Sequence, residues 1–90
     1  MTDTFLKDPD AVLDYQWDWT LWLQPGEVIN TATVTAVTGI VCDSFNNTNV
    51  TVTAWLSGGT DGEGYTITCH ITTNQDRTDD RMIYIICQSR

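Results

Sequence analysis

The stretch NVTVTAWL, Asn49 to Leu56, decides the fold. Val50, Val52, Ala54 and Leu56 fall on one side of an extended chain, and Thr51, Thr53 and Trp55 on the other. Successive side chains of a strand point to opposite faces, so this is a half-buried strand with its aliphatic face toward a core. Trp55 then lies on the outward face.

The same alternation spreads in both directions. Downstream, SGGTDGEG carries four glycines in eight residues and reads as a loop. Tyr65 to Thr73 follows as a strand with Tyr65, Ile67, Cys69 and Ile71 inward and Thr66, Thr68, His70 and Thr72 outward. Arg81 to Gln88 closes the chain as a strand with two apolar faces, Met82, Tyr84 and Ile86 against Ile83, Ile85 and Cys87. Upstream, Val12 to Trp19 puts Leu13, Tyr15, Trp17 and Trp19 on one side. QPGE is a Pro-Gly turn. Glu27 to Val37 reads as a strand with Val28, Asn30, Ala32, Val34 and Ala36 together and Ile29 and the threonines opposite. Gly39 breaks it, IVCD is a short strand, and SFNNTN a turn. Sixteen threonines, many next to β-branched or small apolar residues, suit a pleated, half-buried surface. No helical period is sustained.

Six or seven short strands with turns every eight to twelve residues predict an all-β, small immunoglobulin-like antiparallel sandwich over residues 11–90. Residues 1–10 read as an extended N-terminal arm, since Pro9 disfavours helix at Asp8. GEGYTITC is similar to the corner where an immunoglobulin strand begins with Tyr, although Cys69 comes four residues after Tyr65 rather than two.

Bulk composition narrows the function. Ninety residues form one domain with a modest core. A net charge of −8, with four basic residues, argues against nucleic acid and against an anionic membrane surface. The N-terminus is acidic and is not a signal peptide, and no apolar run spans a bilayer.

DRTDDR, Asp76 to Arg81, gathers three aspartates and two arginines in six residues. It lacks the glycine and spacing of a calcium loop, and Arg77 and Arg81 compete for Asp76, Asp79 and Asp80 as counter-ions. A shaped hairpin loop is the better reading, with Asp capping turn N–H groups and Arg gripping carboxylates. Cys42, Cys69, Cys87 and His70 have no zinc spacing, and Cys69 and His70 point to opposite faces of one strand. The three thiols are odd in number, which leaves a cross-link between chains open. No nucleophile, base and orienting group assemble, so neither an enzyme nor a cofactor or metal is expected.

Four tryptophans are too many for so small a core. Tyr15, Trp17, Trp19, Trp22 and Trp55, with Met82, Tyr84 and Ile86 of the last strand, are therefore expected at a protein interface. A carbohydrate-binding sandwich would need two or three coplanar exposed tryptophans beside polar groups.

FLKDPDAVLDYQWDWTLWL and VTAWLSGGTDGEGYTITCHITTNQDRTDDRMIYI resemble the phage fiber-tail adaptor proteins of tailed phages. The resemblance rests on Lys7 to Asp10, Leu13 to Tyr15, Asp18 to Trp19, Trp55 to Gly59 and Arg77 to Arg81, and it covers nearly the whole chain. It implies a non-enzymatic, immunoglobulin-like structural protein of the virion, made in the host cytoplasm. Such a protein would assemble in many copies at the tail or neck and link tail or neck proteins to fibers. Capsid decoration and head-tail connection are the nearest alternatives. The three cysteines lie outside the resemblance.

Overall fold

Alternation written into the sequence becomes seven strands in the computed structural model, which describes residues 3–89. They are β1 (Asp3–Lys7), β2 (Leu13–Asp18), β3 (Ile29–Ala36), β4 (Ile40–Asn47), β5 (Thr51–Gly58), β6 (Gly64–Thr73) and β7 (Thr78–Cys87). A four-stranded sheet runs β1-β7-β6-β3 and a three-stranded sheet runs β2-β5-β4. This is the immunoglobulin arrangement: β2, β5 and β4 take the places of strands B, E and D, and β3, β6 and β7 those of C, F and G.

Inner faces of the two sheets make one core. Val52, Ala54 and Leu56 of β5 meet Ile67, Cys69 and Ile71 of β6 and Ile83, Ile85 and Cys87 of β7, all buried. The inward sets expected for β5, β6 and β7 are the ones observed. In β3 the expected faces hold for Ala32, Val34 and Ala36 against Thr31, Thr33 and Thr35, and fail only before them, where Ile29 is buried and Asn30 exposed. The register with β6 shifts between Ile29 and Thr31, so Asn30 is an extra residue. A bulge of this kind swaps the sides on which later residues fall. Ile29 and Val34 are both buried although five positions apart, and strict alternation would separate them. A second shift, between Cys42 and Ser44, lies in β4. That strand runs on to Asn47, through residues expected to form a turn.

The expected free arm is strand β1 of the molecule's own sheet. Asp3 to Lys7 pair in parallel with Ile83 to Cys87, the one parallel pairing among the described strands. Lys7 is wholly buried. Its Nζ donates to the Gly58 carbonyl at 2.7 Å and to the Asp8 carbonyl at 2.9 Å, tying β1 to the end of β5 in the other sheet. At the same margin the Phe5 and Tyr15 rings meet with centroids 5.2 Å apart, closing the sandwich between β1 and β2.

The tyrosine corner is present. Tyr65, the second residue of β6, receives the Thr60 N–H on its hydroxyl oxygen at 2.9 Å. The bond runs back over the loop between β5 and β6, as in immunoglobulin domains.

Candidate functional site

The charged stretch turns out to hold the molecule's own parts together. Asp76, with φ 58°, occupies the left-handed position of the tight turn between β6 and β7, where Asp is tolerated. The turn is built on Thr73, whose hydroxyl accepts the N–H groups of Gln75 and Arg77. Arg77 then reaches across to Glu27, fifty residues away. Its Nε donates to Oε2 at 2.9 Å and its Nη2 to Oε1, a two-point grip. Glu27 is buried, and its remaining lone pairs take the Thr73 hydroxyl at 2.7 Å and the Gln24 N–H at 3.0 Å. The Arg77 guanidinium also lies 4.0 Å over the Trp22 ring.

The second half of the stretch, expected as loop, is already strand: Thr78 to Arg81 open β7, paired with Cys69 to Thr72 of β6, and there the device is repeated. Asp79 Oδ2 accepts the Trp19 indole N–H at 3.1 Å, and Arg81 Nε stands 3.7 Å from the same oxygen. Arg81 covers the Trp19 ring at 4.8 Å and donates to the Asp18 carbonyl at 2.8 Å. Asp80 points outward and pairs with His70 on β6. The stretch is thus a clasp. It fixes the crossing segment 19–28 that carries the chain from β2 to β3, and the far side of that segment is pinned by Trp19 N–H to Val50 O and Ile29 N–H to Asn49 O. Among the described residues no group of three His, Cys, Asp or Glu side chains is placed to hold a metal ion.

Arg77 holds the Glu27 carboxyl at about 2, below its ordinary 4.5, against the opposing pull of desolvation; Gln24 and Thr73 assist. In the unfolded chain Glu27 returns to its ordinary value. Its contribution to stability is therefore complete above about pH 4.5 and is lost as pH falls through about 2. The urea midpoint of Glu27→Gln should lie below that of the parent protein at neutral pH, and the gap should close as pH drops from about 5 toward 2. A gap of constant size across that range would show that the charge of Glu27 contributes nothing.

The tryptophans divide three ways, which corrects the interface expectation. Trp17 and Trp19 are core residues, 5% and 0% exposed. Trp17 and Trp19 fit inside because both follow the inward face of β2 into the core shared by the two sheets. Tyr15 packs against the same core from β2, and Trp22 packs partly against it beneath Arg77. Trp55 alone, among the described residues, sits on the outer face of a sheet.

Met82, Tyr84 and Ile86 do point outward on β7, as expected. By register with Tyr84 and Ile86, Thr4 and Leu6 of β1 share that face. Leu6 is 51% exposed and Met82 49%, so an apolar stripe runs along the β1–β7 margin of the four-stranded sheet. Leu6 was not anticipated, because its role depends on β1 joining this sheet. Leu21, at the tip of the crossing segment, is fully exposed. Glu27 was also missed: nothing local marks it, and its partner is fifty residues distant.

The cysteines form no disulfide with one another. Cys69 and Cys87 are buried, and burial pushes the Cys69 thiol up to about 12. Cys42 alone of the three keeps an accessible surface, and burial raises its thiol too.

An immunoglobulin-like sandwich whose two described arginines are engaged in its own clasp is built as a structural module. A family model described as "Podophage GP4 fiber-tail adaptor protein gp77" matches residues 7–86 of the 90-residue chain, and the chain belongs to that family. It is accordingly a structural component of a phage tail. No curated protein matches the chain.

Proposed function

We propose that the protein is a non-enzymatic adaptor that joins tail or neck proteins to fibers in a podophage particle, in several copies. It docks through the outer face of its four-stranded sheet. The observation that carries this reading is the Leu6, Met82, Tyr84, Ile86 stripe. A two-layer sandwich covers only the inner face of each sheet, so an apolar outer stripe is left for another protein to bury. Family membership supports the tail as its place, and the net charge of −8 disfavours nucleic acid as a partner. The sugar-binding alternative loses its support, because the coplanar exposed tryptophans it needs are not assembled.

Particles grown with Met82→Ser/Tyr84→Ser/Ile86→Thr in place of the parent protein test the docking face. These side chains lie outside the core, so the variant should fold, with stability reduced far less than by a core change of equal size. It should nevertheless be missing from purified particles by mass spectrometry. Cryo-electron microscopy of parent particles should place density for the chain between tail and fiber. Density over the capsid lattice would make it a decoration protein, and normal incorporation of the variant would move the docking face elsewhere.

A further inference from the structure

The three-stranded sheet presents the opposite outer face, and Trp55 stands in the middle of it. Its registered neighbours are Asp14 on β2 and Ser44 on β4, both short side chains, and the indole is half-buried, keeping part of its surface open to solvent. Below this row, the Gln16 amide donates to the Thr53 hydroxyl at 3.3 Å, making a flat polar floor. Asp14 is exposed, and its carboxylate enters no hydrogen bond or ion pair among the described residues.

Two other tryptophans of the molecule show what an indole beside a carboxylate takes here. Trp22 lies under Arg77, which is paired with Glu27, and Trp19 lies under Arg81, which stands beside Asp79. Trp55 with Asp14 repeats the pair without the cation. The chain cannot readily supply one from its described residues. Of its four basic residues, Lys7 is buried on backbone carbonyls, Arg77 and Arg81 serve the clasp, and Arg90 lies outside the described residues.

We propose that this face is a second docking surface, at which an arginine of a partner protein stacks on Trp55 and pairs with Asp14. A guanidinium suits the place better than an ammonium, because it stacks flat on a ring while donating in its plane to a carboxylate. The net charge of −8 favours a basic partner and opposes a second copy of this chain. The two open faces lie on opposite sides of the sandwich, so a partner at each would be bridged by one domain.

The full-length chain is titrated with a hexa-arginine peptide at physiological ionic strength, following the indole N–H signals by NMR. The Trp55 signal should shift most. Trp55→Leu and Asp14→Asn should each weaken binding about three- to five-fold. Glu63→Gln, an equal loss of charge away from Trp55, should leave it nearly unchanged, and hexa-lysine should bind more weakly than hexa-arginine. Equal losses for Asp14→Asn and Glu63→Gln would reduce the effect to bulk charge and overturn the proposal. So would no response at Trp55, or a response to a neutral hexasaccharide in its place, which would make the indole a sugar platform. Binding is measured on the isolated chain, so either result stands apart from the docking of the opposite face.

Discussion

Replacing Trp19 by Ala should lower the unfolding free energy by about 3–5 kcal/mol, the range for removing a buried aromatic side chain. A domain of this size has on the order of 5–13 kcal/mol in total, so the variant stands close to unfolding at room temperature. The cost is high because the ring does three things. It is wholly buried at the end of the sandwich. Its N–H is the donor to Asp79, and its face is the surface on which Arg81 rests. The backbone around it is committed as well: the Trp19 carbonyl accepts the N–H groups of Trp22 and Leu23, so the crossing segment cannot close over the gap without breaking its own turn. Trp19→Phe separates these parts. It keeps most of the buried ring and loses the indole N–H, for about 1–2 kcal/mol. Trp55→Leu, at the outward face, should cost under about 1 kcal/mol. Urea unfolding with unchanged m-values measures all three. Similar losses at positions 19 and 55 would mean that Trp19 is no more a core residue than Trp55.

That contrast shows why the sequence was legible in places and opaque in others. Strands β5, β6 and β7 could be read correctly face by face, because period-two alternation is local and uninterrupted from Val52 to Leu56 and from Tyr65 to Ile71. The tyrosine corner was visible for the same reason: Tyr65 opens a strand just after a glycine-rich loop. In β3 the faces from Thr31 to Ala36 are legible, but Ile29 is not, because one bulged residue, Asn30, breaks the alternation between them and nothing in the composition of VINTATV announces it. Trp17 and Trp19 were placed at an interface by counting ring volume against core size. Burial is decided instead by topology: both rings lie on the inner side of the sandwich, and Trp19 is closed in by Asp79 and Arg81 of a strand sixty residues on. The clasp was half legible. The turn at Asp76 and Arg77 is legible as a shaped loop, but Asp79, Asp80 and Arg81 belong to strand β7, and the buried acid that anchors Arg77, Glu27, lies in a segment that only the fold brings near.

Gly59→Ala should be as damaging as the loss of Trp19, though it adds a single carbon. Gly59 has φ 97°, a conformation that side chains rarely adopt, and a Cβ built there would lie 2.2 Å from Cys87 Sγ and 3.4 Å from Tyr65 Cε2. Backbone strain and overpacking each cost about 1–3 kcal/mol, so the sum is about 2–6 kcal/mol. The tight fit follows from the tyrosine corner. Bonding the Tyr65 hydroxyl to Thr60 N–H draws the ring under the β5–β6 loop, and the loop backbone must pass directly over the ring and over the Cys87 thiol. On the ring's other margin a Cβ at Gly39 would lie 2.7 Å from Tyr65 Cε1. Tyr65 is therefore flanked by two backbones: beside Gly39 the ring itself leaves no room for a side chain, and beside Gly59 the obstacle is the Cys87 thiol. The two costs at Gly59 can be separated by removing the sulfur. In a Cys87→Ala background the collision disappears and the strain remains, so the added loss on Gly59→Ala should fall by about 1–3 kcal/mol. Urea midpoints of the parent, both single variants and the double variant give the coupling directly. Strict additivity would place the whole cost in the backbone conformation and leave the thiol no part in it.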